Sequence, residues 1–270
     1  MMAEEKTVRV LVVGDVVGGP GRAAFAELYP RIREERGVEF CIVNAENAAG
    51  GSGLTVDTAE ELLRAGADVL TSGDHIWRRE EAVELLNGNP KVLRPLNFPP
   101  GAPGRGSRVS PLPGGGEIAV VSLLGRVFMA PMDCPFRHLE GEVNVLSRRT
   151  RLIVVDFHAE ATSEKAALAR HFDGRVSAVV GTHTHVPTAD ARILAGKTAF
   201  ISDIGMCGSL DSILGREPRA VITAFLTGRP VRFPVAAADP GLQGVLLELD
   251  RESGHALDIS AVNYGGNEIR

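Results

Sequence analysis

The segment GTHTHVP, residues 181–187, directly follows the apolar run Val176–Val180, which predicts a buried strand. Two histidines with one residue between them, His183 and His185, can both turn from the end of such a strand into one site. Imidazole is the commonest metal ligand of proteins near neutral pH. The pair alone fits two loop histidines with ordinary hydrogen bonds as well as it fits a metal site. The ends of the other predicted strands therefore decide the interpretation.

Four other apolar runs also lead into residues that can bind a metal. These residues are Asp15, Glu46 with Asn47, Asp74 with His75, and His158. Taken singly, each has an ordinary alternative, such as a turn or capping aspartate at Asp15 or a plain surface loop at Glu46 and Asn47. In open α/β sheets, however, ligands lie beyond the carboxyl ends of the strands. The order of the motifs thus predicts that these side chains converge with the two histidines of residues 181–187.

The chemistry of this set favours two metal ions. Three carboxylates, one amide and several imidazoles are too many ligands for one ion, and they suit two divalent ions that share a carboxylate. Mixed nitrogen and oxygen ligands disfavour a calcium or magnesium cage and fit iron, manganese, cobalt or zinc. Two ions about 3.5–4 Å apart serve phosphoester hydrolysis. The glycine-rich segment 14–21 lacks the P-loop lysine and the dinucleotide spacing, so a nucleotide-binding loop is not favoured there.

Composition limits the remaining possibilities. The chain has 270 residues without a linker-like tract, which predicts a single domain over residues 1–270. A net charge of -5 argues against long nucleic acids as partners and leaves a small anionic substrate open. The N-terminal residues lack an apolar signal region and no segment reaches membrane-spanning length, so we expect a cytoplasmic protein without membrane contact.

Seven motifs together resemble a known family over nearly the whole chain. They are GDVVGGPGR (14–22), VNAENAAGG (43–51), GDHIW (73–77), LLGRVFM (123–129), DFHAEATSEK (156–165), GTHTHVPTAD (181–190) and DSILG (211–215). Their order resembles the calcineurin-like metallophosphoesterases, and their detail resembles the YmdB-type bacterial branch. The resemblance implies a four-layer α/β/β/α sandwich of two mixed sheets with the site at one end. The residue pattern alone supports only an α/β protein with antiparallel strands late in the chain.

The resemblance also implies a role for each candidate residue. One metal would be held by Asp15, Asn47 and His185, and the other by Asp74, His158 and His183, with Glu46 bridging the two and His75 as general acid. The wider superfamily has a histidine where this chain has Val17, and in this branch Asn47 compensates. The branch usually has asparagine where this chain has Asp74, a change that keeps an oxygen ligand but alters the charge of the site.

The implied activity is hydrolysis of 2′,3′-cyclic nucleotides or related small phosphodiesters. The attacking group would be a metal-bridging hydroxide in line with the leaving oxygen, with two ions per chain, iron (Fe2+/Fe3+) or manganese. The expected partners are a small phosphodiester or nucleotide and further copies of the chain in a homo-oligomer. Three alternatives stay open at this point: another metallohydrolase such as a phosphomonoesterase, a regulatory protein with weak turnover, and a structural metal protein.

Overall fold

The computed structural model describes residues 6–265 of the chain. Residues 1–5 and 266–270 lie outside the described residues. Two expectations fall partly on them: the character of the N-terminal residues, and the bounds of a single domain over residues 1–270. The helices are α1 Gly18–Arg36, α2 Val56–Arg64, α3 Ala82–Gly88, α4 Pro135–Leu146, α5 Thr162–His171 and α6 Pro218–Thr227. The strands are β1 Thr7–Val13, β2 Asp15–Val16, β3 Phe40–Asn44, β4 Val69–Thr71, β5 Ser107–Pro111, β6 Glu117–Leu124, β7 Ile153–His158, β8 Ala178–Thr182, β9 Arg192–Ile193, β10 Ala199–Ile201, β11 Met206–Ser209, β12 Pro240–Asp250 and β13 Ala256–Gly265.

The strands form two mixed sheets. The first has the order β2-β11-β12-β1-β3-β4, with β13 pairing with β12. Its β1 runs parallel to β3 and antiparallel to β12. The second sheet has the order β5-β6-β7-β8-β10-β9, with a parallel centre and an antiparallel strand at each edge. The late antiparallel pair expected from the sequence is β12 with β13.

Three apolar cores separate four layers. Side chains of both sheets, including Val10, Val12, Val154 and Val180, pack against one another in the middle. Residues of α1, α2 and α3 cover the outer face of the first sheet, and residues of α4 and α5 cover the outer face of the second. The predicted four-layer α/β/β/α sandwich of two mixed sheets is therefore confirmed.

Strand β1 shows why the sequence folds this way. Val8, Val10 and Val12 point into the core between the sheets, whereas Leu11 and Val13 point into the core beneath the helices. A strand that is buried on both faces needs apolar residues at successive positions rather than an alternating pattern. The apolar runs in the sequence are thus the central strands, and their carboxyl ends meet at one edge of the sandwich.

The described helices show no membrane-spanning character. Within residues 6–265, none of them combines the length and the apolar character that a membrane span needs.

Candidate metal centre

All eight residues selected from the sequence lie together at the carboxyl ends of the central strands. Glu46 and Asn47 follow β3, Asp74 and His75 follow β4, His158 ends β7, His183 and His185 follow β8, and Asp15 begins β2. The loops that carry them come from both sheets, so the site closes across the two layers of strands. The predicted convergence is present in the structure.

Four of these side chains form one tight cluster around His158. The Nε2 atom of His158 lies 3.0 Å from Nδ1 of His183, 3.2 Å from Oε1 of Glu46 and 3.4 Å from Oδ1 of Asp74. One ligand atom from each of the four residues lies within 4.8 Å of the others. Among the described residues, Oδ1 of Asp74 is buried and has no hydrogen-bond partner. A buried carboxylate oxygen is costly without a partner, so this donor set fits a metal cation.

A second group lies directly beside the first. His185 Nε2 is 3.6 Å from Oδ1 of Asp15 and 3.2 Å from Nδ2 of Asn47. Nδ2 of Asn47 also lies 3.0 Å from Oε1 of Glu46, the oxygen that faces His158. Glu46 therefore stands between the two groups, as the resemblance implies for a bridging ligand. Rotating the Asn47 amide by half a turn would place its oxygen, in place of Nδ2, beside His185 and Glu46.

Each of the three ligand-type histidines is oriented through its other ring nitrogen. His158 Nδ1 lies 2.9 Å from Thr182 Oγ1, which donates to Asp156 at 2.7 Å. His183 Nε2 faces Oε2 of Glu160 at 3.2 Å, and His185 Nδ1 donates to the carbonyl oxygen of Leu214 at 3.2 Å. Such partners fix which nitrogen faces a metal.

His75 stands at the edge of both groups. Its Nδ1 lies 2.9 Å from Oδ1 of Asn47, and its backbone N–H donates to Oε2 of Glu46 at 3.2 Å. The Glu46 carboxylate, whose Oε1 lies 3.4 Å from the ring Nδ1 of His75, raises the pKa of the His75 imidazole above its ordinary value. The ring is half-buried and lines the cavity over the cluster, so it can reach a molecule bound there.

The buried charges of the site stabilise one another. Burial alone would raise the pKa of Glu46, but His158 and His75 hold it well below its usual range. Burial likewise opposes ionisation of Asp15, and His185 lowers its pKa. For His158 burial lowers the pKa, yet Glu46 and Asp74 raise it well above the ordinary value. The surroundings therefore favour the ionised form of these carboxylates, which is the form that binds a cation.

The backbone of the site departs from regular structure at two of the candidate ligands. His183 and His185 have φ of 101° and 64°, in the left-handed region that side chains other than glycine rarely adopt. A Cβ on Gly73 would lie 2.2 Å from Cδ2 of His158 and 2.3 Å from Oε2 of Glu46. Only glycine lets the backbone after β4 approach the cluster so closely.

A known family matches most of the chain. The YmdB-like protein family matches this sequence over residues 11–262. The chain belongs to that family. A family relative from Bacillus subtilis (strain 168), named 2′,3′-cyclic-nucleotide 2′-phosphodiesterase, is 45% identical over 255 residues, which cover 94% of this chain and 96% of the relative.

Two solved structures share the fold of this YmdB-like chain. A hypothetical protein from Thermus thermophilus is 41% identical, with a TM-score of 0.88, over 96% of this chain and 99% of that one. A protein described as a novel phosphatase from Mycoplasma pneumoniae is 33% identical, with a TM-score of 0.89, over 96% of this chain and 94% of that one. The fold expected from the motifs is thus that of its relatives.

Several residues of this YmdB-like site were not among those selected from the sequence. Asp156 and Thr182 lie on β7 and β8 beside the ligands, a position that the strand pattern could have indicated. Glu160 and the carbonyl of Leu214 lie in loops, and no local pattern marks them. Val17, the expected departure from the wider superfamily, is buried and packs against Gly208 and Gly215.

Proposed function

We propose that this protein is a metal-dependent phosphodiesterase that hydrolyses 2′,3′-cyclic nucleotides or related small phosphodiesters. The observation that carries the proposal is the cluster of Glu46, Asp74, His158 and His183, with its partnerless carboxylate oxygen. The activity for which the Bacillus subtilis relative is named supports the choice of substrate. The cavity over the cluster has a volume of about 350 Å³, which suits a small ligand.

Two metal ions per chain fit the donor set. Asp74, His158 and His183 would hold one ion, Asp15, Asn47 and His185 the other, and Glu46 would bridge them. When bound, two such ions activate water and offset negative charge on the phosphoryl oxygens. Iron or manganese is proposed because imidazole nitrogen and carboxylate oxygen contribute together.

The residues of the chain provide the proton and the orientation. His75 lines the cavity and Glu46 raises its pKa, which favours its role as the donor of a proton to the departing ribose oxygen. Glu160, Thr182 and the carbonyl of Leu214 keep the three ligand histidines turned toward the site. Neither serine nor cysteine is required as a nucleophile.

Purification without chelator, followed by elemental analysis and assays, tests this proposal. We expect two ions of iron or manganese per chain and faster hydrolysis of 2′,3′-cyclic AMP than of p-nitrophenyl phosphate, a monoester. A monoester preference would indicate a phosphomonoesterase instead. Protein that has all of its ligand residues intact but binds one ion or none at full occupancy would contradict the dinuclear centre. Metal-loaded protein without turnover would favour a regulatory role.

We also propose that residues 1–270 act as one domain and assemble into a homo-oligomer through α6. Phe225 and Leu226 on this helix are 85% and 81% exposed, and Ile222 is also exposed. Contiguous exposed apolar side chains of this kind mark association surfaces. Light scattering should show that Phe225→Asp lowers the assembly state, whereas Val145→Asp, on the exposed face of α4, should leave it unchanged.

A further inference from the structure

Arg216 lines the same cavity as the candidate metal ligands. The cavity wall includes His75, His183 and His185, and Arg216 is the single lysine or arginine in it among the described residues. The site therefore combines one fixed cation, Arg216, with the three candidate-ligand carboxylates and the carboxylate of Glu160, which also lines the cavity. The role of this arginine was not predicted from the sequence.

A tight turn places Arg216 there. Ile213 and Arg216 exchange two backbone hydrogen bonds of 3.0 Å, and the two residues between them, Leu214 and Gly215, have φ of 53° and 83°. These are the features of a two-residue turn with both central residues left-handed. A Cβ on Gly215 would lie 2.7 Å from Val17, so the turn is packed against the base of the site. Its Leu214 carbonyl orients His185, and thus the turn positions a ligand and a cation together.

The guanidinium of Arg216 is held by neutral groups. Its Nη2 donates to the carbonyl of Gly51, and its Nη1 donates to the carbonyl of Phe233 at 3.2 Å. No carboxylate of residues 6–265 lies within 4.0 Å of it. Burial lowers the pKa of Arg216, with no acidic partner to offset the effect. Arginine has five N–H donors, so several remain for another acceptor.

Two other arginines hold the same loop from outside the cavity. Arg79 donates to the carbonyls of Ala49 at 2.7 Å and Ser52 at 3.2 Å. Arg22 donates to the carbonyl of Ala48 at 2.5 Å and pairs with Glu61. The loop that carries Glu46 and Asn47 is therefore anchored without Arg216. What distinguishes Arg216 from the other two is that it lines the cavity.

We propose that Arg216 binds the phosphoryl group of the substrate, an inference that rests on the proposed function for the identity of that substrate. A guanidinium offers planar, paired donors that match phosphate oxygens, and it stays charged at any working pH. In the half-buried setting of the cavity, its attraction for an anion is screened less than at an open surface. Arg216 thereby selects an anionic ligand and orients it over the metal centre.

Calorimetric titration with inorganic phosphate tests the proposal in manganese-loaded protein. We expect Arg216→Gln to weaken phosphate binding by about 10- to 100-fold, the range for a hydrogen bond to a charged group. Arg216→Lys should recover part of the loss, because it keeps the charge but not the paired donors. Arg79→Gln is the matched control, since it removes a similar loop contact outside the cavity, and its phosphate affinity should equal that of the parent.

The outcomes separate a ligand contact from a structural one. Equal phosphate affinity in Arg216→Gln and Arg79→Gln would overturn the proposal. So would a loss of phosphate affinity in Arg216→Gln that is accompanied by an equal loss of bound manganese. If the parent does not hydrolyse 2′,3′-cyclic AMP, yet Arg216→Gln alone weakens phosphate binding, the proposed function fails and the phosphoryl contact stands. If cyclic nucleotides are hydrolysed with unchanged KM in Arg216→Gln, the proposed function stands and this inference fails.

Discussion

The Nζ atom of Lys165 lies 3.0 Å from Oδ2 of Asp203, and both side chains are buried. The same carboxylate oxygen accepts a 3.0 Å hydrogen bond from the backbone N–H of Thr184, the residue between His183 and His185. The ion pair therefore fixes the strained backbone that turns both histidines into the site. Removing one partner would leave an uncompensated buried charge.

We expect Lys165→Met to lower the free energy of unfolding by about 3–5 kcal/mol, as for other broken buried pairs. Urea unfolding of chelator-treated protein measures this change without a contribution from metal. The control is Arg175→Met, which breaks the more exposed pair with Glu140 and should cost less than about 1 kcal/mol. Equal losses of unfolding free energy in the two variants would show that the buried pair stabilises the protein no more than the exposed pair does.

Glu160 should set the metal affinity through His183. Its carboxylate lies 3.2 Å from Nε2 of His183 and keeps Nδ1 turned toward His158 and Asp74. We expect Glu160→Ala to weaken manganese binding by about 10- to 100-fold, the usual effect of removing such a partner. Titration of the chelator-treated protein measures it, with Glu140→Ala on the surface of α4 as control. Unchanged affinity would mean that His183 is oriented by other contacts.

Asp156 should make the stability of the metal-free protein depend on pH. Burial raises the pKa of this carboxyl to about 6 from an ordinary 3.8, although Thr71 and Thr182 donate hydrogen bonds to it. Because the folded state binds this proton more tightly than the unfolded chain, the stabilisation is complete below about pH 4 and is lost as the pH rises through about 6. Relative to Asp156→Asn, the parent should lose about 3 kcal/mol of unfolding free energy over this range. A constant difference between the two proteins in urea unfolding would contradict the assignment.

The convergence of the candidate ligands was predictable from the sequence because of the topology of parallel strands. Apolar runs mark the buried strands, and residues that follow them, such as Asp74 and His183, must share one edge of the sheets. The layer order came from the resemblance, because periodicity does not show how two sheets stack.

Other features depend on tertiary contacts that a local pattern does not contain. Arg216 meets the Gly51 carbonyl across 165 residues of sequence, and only the closed fold brings the two together. Helix α6 was not predicted, since Val221 is its one buried residue and its apolar side chains form no core-facing stripe. The buried partner of Lys165, Asp203, lies 38 residues away, and no local pattern joins the two.

His75 should act as an acid and not as a ligand. It lies beside Asn47 and Glu46 but outside the cluster of Glu46, Asp74, His158 and His183. We expect His75→Ala to keep its metal content and to lose about 10²–10⁴-fold in turnover of a cyclic nucleotide. With bis(p-nitrophenyl) phosphate, whose leaving group is already acidic, the loss should be smaller. The same loss for both substrates would argue against proton donation.

Asp74 gives the centre one more negative charge than a neutral amide at the same position would. Asp15, Glu46 and Asp74 contribute three negative charges. With two divalent ions the net charge is therefore +1, and it becomes +2 if Asp74 is replaced by Asn. Among the described residues, neither Arg78 nor Arg79 forms an ion pair with this carboxylate. Arg79 donates to backbone carbonyls, and Asp74 faces His158, His183 and His75.

We therefore expect Asp74→Asn, reconstituted with manganese, to bind inhibitory phosphate more tightly and to shift the acidic limb of its pH–rate profile to lower pH. Greater positive charge attracts the anion and lowers the pKa of the attacking water. Asp133→Asn, which removes an exposed carboxylate that pairs with His138, controls for the change in overall charge. If inhibition and pH profile in Asp74→Asn both match the parent, Asp74 serves as an oxygen ligand whose charge does not tune the reaction.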